Sequence, residues 1–227
     1  MIAVTFALPA ESSDFIKLLE QRTQAGAVTS GVLHGQHVAV LHTGVGAAMA
    51  RARVAEFLGS HTPALLISSG FAGALGPELV PGDIVVAENH RPAALMVAQS
   101  SGWRVVRLTT ADQVLDSAAA RGELAASTGA AVVDMETETI AEVCRTNGVP
   151  MFSLRGISDT PAAPFPVPPH VLFDVALQRT PYASLLLHLI AHPRAIPKLI
   201  AFSRQIATAR RALTSALDLL LRRISSG

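Results

Sequence analysis

The sequence predicts an α/β fold: one domain with a central mixed sheet flanked by helices, continued by a helical C-terminal extension. Three observations carry that expectation. Short apolar runs at Ile2 to Leu8, Ala64 to Ser69 and Met151 to Ile157 read as strands buried on both faces. Segments with helical periodicity separate them, the pattern of a sheet with a substantial parallel portion. From Ile196 to about Arg223 apolar residues recur every three or four positions, as on a helix packed against a core. With no internal repeat and no linker, residues 1–177 read as the α/β domain and 178–227 as a basic amphipathic extension packed on it.

Taken in order, the first strand turns at Pro9-Ala10-Glu11-Ser12 into a helix, with proline in its first turn and Phe15, Leu18 and Leu19 on one face. Val28 to Leu33 and His37 to His42 form a hairpin through His34-Gly35-Gln36. Thr43-Gly44-Val45-Gly46 opens a second helix, which Gly59 stops. The strand at Ala64 to Ser69 ends in Gly70-Phe71-Ala72-Gly73, and Pro81-Gly82-Asp83 turns into a strand at Ile84 to Ala87. Further strands are expected at Trp103 to Leu108 and Ala130 to Val133, with helices at Ser117 to Ser127 and Thr137 to Asn147. Ala162 to Pro169, with four prolines, is a loop or lid. Tyr182 to Ile190 and the long final segment are helical.

Composition narrows the classes. Half of the 227 residues are hydrophobic and only 15% charged, below the roughly 25% usual for soluble domains, so apolar surface is expected beyond the core and self-association with it. The formal charge of +1 gives no field for nucleic acid. It hides an asymmetry: from Gln178 onward there are eight Lys/Arg against one acid, Asp218. That basic tail raises an expectation of peripheral contact with the inner face of a membrane, while core packing of the last helix is the favoured reading. The single cysteine, Cys144, excludes an intrachain disulfide and reads as a small core residue. No charged n-region or long apolar span is seen, so a cytoplasmic protein is expected.

The chemistry-bearing residues sit at strand ends. Thr43-Gly44-Val45-Gly46 lies between a strand and a helix, where N–H groups attract anions, though a turn needing positive φ explains the glycines equally well. Ser69-Gly70-Phe71 follows a strand's C-terminal end, the usual ligand edge of an open α/β sheet. Glu11, Glu136 and Asp159 each follow a predicted strand. Singly each could be a helix or turn carboxylate, but three at such ends point to a common pocket. The histidines are scattered and there is no zinc, Walker or nucleophile-elbow motif, so no metal or cofactor is expected.

Read together, Ala7-Leu8-Pro9-Ala10-Glu11, Thr43-Gly44-Val45-Gly46, Ser69-Gly70-Phe71-Ala72-Gly73-Ala74-Leu75, Gly82-Asp83-Ile84-Val85-Val86, Val133-Asp134-Met135-Glu136 and Arg155-Gly156-Ile157-Ser158-Asp159 occur in the order of the nucleoside phosphorylase and nucleosidase superfamily. The chain resembles its methylthioadenosine/S-adenosylhomocysteine nucleosidases in particular. That resemblance implies cleavage of a purine, adenine-type nucleoside. Asp159 would be the acid toward N7 of the base, Glu136 the ribose clamp, Met135 a ribose contact and Glu11 the residue that orients or deprotonates water. Ser158 and Arg155 would support Asp159, and Ser69, Gly70, Phe71, Thr43 and Gly44 would border the substrate. It also implies a homo-oligomer.

Three departures qualify the resemblance. Where the superfamily's phosphorylases carry an Arg and a Ser for phosphate, this chain has Ser68 and Phe71, which favours water over phosphate as acceptor. Only about 45 residues separate Val86 from Val133, leaving Leu108 to Asp112, with Thr110, as the candidate for a shortened base-binding loop. The short middle and basic tail resemble the hopanoid-associated phosphorylases, which implies the alternative of phosphorolysis of a lipid-linked nucleoside such as adenosylhopane. A nucleoside-binding protein without turnover is the other alternative.

Overall fold

The computed structural model describes residues 1–90, 102–175, 177–178 and 180–225. Its strands are β1 (Ile2–Phe6), β2 (Glu20–Ala25), β3 (Val28–Leu33), β4 (Gln36–His42), β5 (Leu65–Ala74), β6 (Ile84–Ala87), β7 (Arg104–Val106), β8 (Leu108–Thr110), β9 (Val132–Asp134) and β10 (Met151–Asp159). The helices are α1 (Pro9–Leu18), α2 (Ala47–Ser60), α3 (Ala118–Thr128), α4 (Thr137–Thr146), α5 (Pro169–Leu172), α6 (Tyr182–Ala191) and α7 (Ala195–Ser225). The strands form one mixed sheet in the order β2-β3-β4-β1-β5-β10-β6-β7, with β9 on β5 and β8 on β9.

Alternation along β1 explains the layering. Ile2, Val4 and Phe6 join Phe15 of α1 and Leu213, Leu217, Leu220 and Leu221 of α7 in one cluster. Ala3 faces the opposite layer, with Val54 and Phe57 of α2 and Ile140, Val143 and Cys144 of α4. Each fully buried Leu or Phe contributes about 1.5–3 kcal/mol, so α7 belongs to the main core. It packs tightly at Gly156 of β10, where a Cβ would meet the carbonyl oxygen of Ala209 at 3.1 Å. Cys144 is buried as expected, and burial pushes its thiol up to about 12.

The register of β5 positions the site. β10 runs along one edge from Leu66 to Gly73. On the other edge β1 pairs only from Leu65 to Ser68, and β9 takes over at Gly73 and Ala74. Between these partners the edge is open, and a cavity lined by Phe71, Ala72 and Gly73 lies against it.

Several expectations need adjustment. β5 continues through Gly70 to Ala74, where the sequence reading ended the strand at Ser69. Paired on both edges near its end, the backbone stays extended despite its glycines. Trp103 to Leu108 divides into β7, on β6, and β8, on β9. β2 was not predicted at all, since Glu20–Ala25 is polar and wholly exposed. The Pro-rich segment is tied down: the rings of Phe165 and Phe202 lie 5.3 Å apart, and Val167 packs with Val171 and Ala195.

Candidate active site

Glu11 stands in the first turn of α1 with both oxygens engaged. Oε2 accepts the Leu8 N–H at 2.9 Å, the half of a capping box that a leucine N-cap allows, and Oε1 accepts the Phe71 N–H at 3.0 Å. Burial raises its pKa, and those N–H groups and Arg155 oppose the rise. Gly70 makes the arrangement possible. Its φ is +145°, and a Cβ would meet Arg155 Nη1 at 2.6 Å and Glu11 Oε1 at 3.0 Å.

The Val133 to Glu136 stretch divides its labour. Asp134 is buried and structural. It accepts the backbone N–H of Thr137 at 3.2 Å, the Thr110 hydroxyl at 2.8 Å and Arg155 Nη2 at 2.8 Å, so it serves the otherwise unpaired N–H groups at the start of α4. Glu136, two residues on, enters the cavity, and its Oε1 accepts the Gly46 N–H at 2.7 Å. Burial, then the neighbouring Asp134 charge, push its pKa up to about 8, against the pull of Arg155. A carboxyl so placed holds its proton more tightly than an exposed one does.

Asp159 ends β10 at 3% exposure. The Ser158 hydroxyl donates to its Oδ1 at 2.6 Å, and Arg121 Nη2 meets Oδ2. Arg121, 2% exposed, is held by the carbonyls of Ala74 and Leu115. Sequence reasoning missed it. A lone arginine in the Ala-rich segment that forms α3 belongs to no motif that would single it out. The same reasoning paired Arg155 with Asp159, but Arg155 Nη2 goes to Asp134, Ser68 and Thr137. A register shift between Ile157 and Asp159 breaks the alternation that would put the two on one face.

Glu11, Phe71, Met135, Glu136, Ser158 and Asp159 all line one cavity of about 360 Å3, together with Arg121 and a segment at Gln113 to Leu115. The outer part is apolar, with Phe165, Leu172, Phe173, Phe202 and Ile206. Other expected contacts stand behind this wall. Thr43 is buried and bonds the Phe6 carbonyl, Gly44 bonds that of Ala7, and Ser69 is buried with no protein partner for its hydroxyl. Thr110 braces Asp134 and the Glu138 N–H. The two N–H groups just before α2 are already engaged: Val45 donates to Gln178 Oε1 at 2.8 Å and Gly46 to Glu136.

Comparison with known proteins follows from this geometry. The phosphorylase superfamily profile matches residues 1–100 and 91–179, well over half the chain. The chain belongs to the phosphorylase superfamily. Among its relatives, the 5′-methylthioadenosine/S-adenosylhomocysteine nucleosidase of Haemophilus influenzae is 27% identical over 176 residues, 62% of this chain and 76% of that protein. That of Chromohalobacter salexigens is 28% identical over 196 residues, 70% and 83% of the two chains. Within this superfamily, the solved nucleosidase of S. pneumoniae has a TM-score of 0.72 at 18% identity, covering 97% of this chain and 98% of that one. The futalosine hydrolase of Helicobacter pylori has 0.70 at 16%, covering 98% and 97%. At such identities these two structures speak to the fold, a mixed sheet flanked by helices with a helical C-terminal segment.

Proposed function

We propose that this phosphorylase-superfamily chain cleaves the N-glycosidic bond of a purine nucleoside, with adenine as the base and water as the acceptor. The observation that carries the reading is the meeting of Glu11, Glu136 and Asp159 on one cavity. Asp159, oriented by Arg121 and Ser158, serves N7 of the base. As the bond to the sugar breaks, its electron pair passes to the base and Asp159, entering the step as the carboxylic acid, gives its proton to N7. Glu136 and Met135 hold the ribose while positive charge develops on the ring, the logic of glycoside hydrolysis. Glu11 takes the proton of the attacking water, whose oxygen bonds to C1′. Water is favoured because Ser68 is engaged by Arg155 and the Phe71 N–H by Glu11, so two groups that could grip phosphate are committed.

The test is adenine release from adenosine, methylthioadenosine and an adenosine with a long alkyl 5′ group, with and without phosphate. Asp159→Asn should lower kcat by roughly 10²–10⁴, and unchanged turnover would remove Asp159 from its role. Free sugar as product means hydrolysis, whereas the 1-phosphate means phosphorolysis. The alkyl substrate is included because Phe165, Phe173, Phe202 and Ile206 favour a second reading, in which the 5′ substituent is large and apolar.

A further inference from the structure

Helix α6 has a composition that its surroundings do not explain. Ten residues long and rich in leucine, it has no buried residue. Leu185 and Leu189 lean on the cluster of Val167, Val171 and Ala195. Tyr182, Leu186, Leu187 and Ile190 point elsewhere, 78%, 61%, 68% and 69% exposed. The apolar surface extends to Val175 and Leu177 before the helix and to Ile196 and Ile200 in the first turns of α7. Of the twelve exposed large hydrophobics among the described residues, eight fall between 175 and 200, so they cluster instead of scattering as ordinary surface leucines do.

Charge says what such a face fits. No Asp or Glu occurs between Asp174 and Asp218, while Arg194, Lys198 and Arg204 are exposed within or beside the apolar segment. An interfacial helix has this make-up: leucines for the acyl boundary, an aromatic residue at one end and cations for the headgroups. A second copy of the chain fits worse, because a two-fold interface would set each cation group against its twin with no acid between them. The same segment borders the cavity, through Leu172 and Phe173 before it and Phe202 and Ile206 after it. Among the described residues no helix is long and apolar enough to cross a membrane, so the contact is one of lying on the surface.

We propose that α6 and the first turns of α7 dock the protein on an anionic lipid bilayer, with the cavity mouth beside the bilayer surface. This surface is distinct from the carboxylate site, so the proposal stands or falls separately from the reaction. The experiment is co-sedimentation of the full chain with phosphatidylcholine vesicles, alone or with a third of the lipid as phosphatidylglycerol, at low and high salt. Anionic vesicles should bind at least tenfold more protein than neutral ones, less so at high salt. The variant Leu186→Gln/Leu187→Gln/Ile190→Gln should lose that binding at unchanged Tm, since these side chains are already exposed. Arg194→Gln/Lys198→Gln should keep weaker binding with a smaller salt dependence. Equal recovery with neutral and anionic vesicles, or anionic binding unaltered in the triple variant, would overturn the proposal. So would light scattering that shows a dimer dispersed by the triple variant with no vesicle binding in wild type, which assigns the face to self-association.

Discussion

At Glu136, position and titration oppose one another. The start of α4 and the Gly46 N–H favour an anion, yet burial and Asp134 lift the carboxyl to about 8 from an ordinary 4.5. The folded state thus holds this proton more tightly than the unfolded chain. Stability from the neutral carboxyl is complete below about pH 4.5 and is lost as pH rises toward 8. Glu136→Gln, neutral throughout, should gain on wild type between pH 5 and 8, by about 1.4 kcal/mol for each pKa unit removed at most, while base release collapses. Melting curves at pH 5, 6.5 and 8 decide it, because a constant difference would mean that Glu136 is already ionised. The pair at Asp159 behaves differently. Arg121 and Asp159 are both almost fully buried, and removing one partner of such a pair costs about 3–5 kcal/mol. Arg121→Met should cost that much in urea denaturation, and Arg121→Met/Asp159→Asn should recover part of it. Strict additivity would show that the two do not act as a unit.

Among the elements, those buried on both faces were legible, because burial writes an unmistakable apolar run: β1, the first half of β5 and β10 lie where the pattern sets them, and alternation marks the hairpin of β3 and β4. β2 was not, since an exposed edge strand made of Glu-Gln-Arg-Thr-Gln-Ala owes its extended form to pairing with β3. The three carboxylates were legible as strand-end residues and through the superfamily's motifs. Arg121 and the wall at Gln113 to Leu115 were not, since tertiary packing brings them to the site and no local pattern marks them. Gly70 shows the same limit. The sequence marked a glycine turn, whereas the structure has a strand residue at positive φ wedged between two charged groups. Gly70→Ala should therefore lose more than the ordinary ~1 kcal/mol glycine effect, with Glu11 and Arg155 displaced. A Tm within a degree of wild type and normal kcat would show that the backbone adjusts freely there.

Over the whole molecule, stability is unevenly shared. Leu213, Leu217, Leu220 and Leu221 of α7 belong to the same cluster as Ile2, Val4, Phe6, Phe152 and Leu154, so the end of the chain completes the core built by its beginning. α6 and the first turns of α7 hold on through a smaller cluster of Val167, Val171, Leu185 and Leu189. Cooperative units open at a free energy set by what they bury. Native-state hydrogen exchange should thus show two tiers. Amides of β1, β5, β10 and of α7 beyond Ala209 should exchange only with global unfolding. Those of α6 should exchange through local opening at much lower free energy, and vesicle docking should slow them if the apolar face is covered. Truncation probes the same division. Removing residues 210–227 strips the leucines from the main core and should leave no cooperative melting transition. The Leu186→Gln/Leu187→Gln/Ile190→Gln variant should melt as wild type does. A truncated chain that still unfolds cooperatively near the wild-type Tm would show that α7 is an appendage instead of a core element.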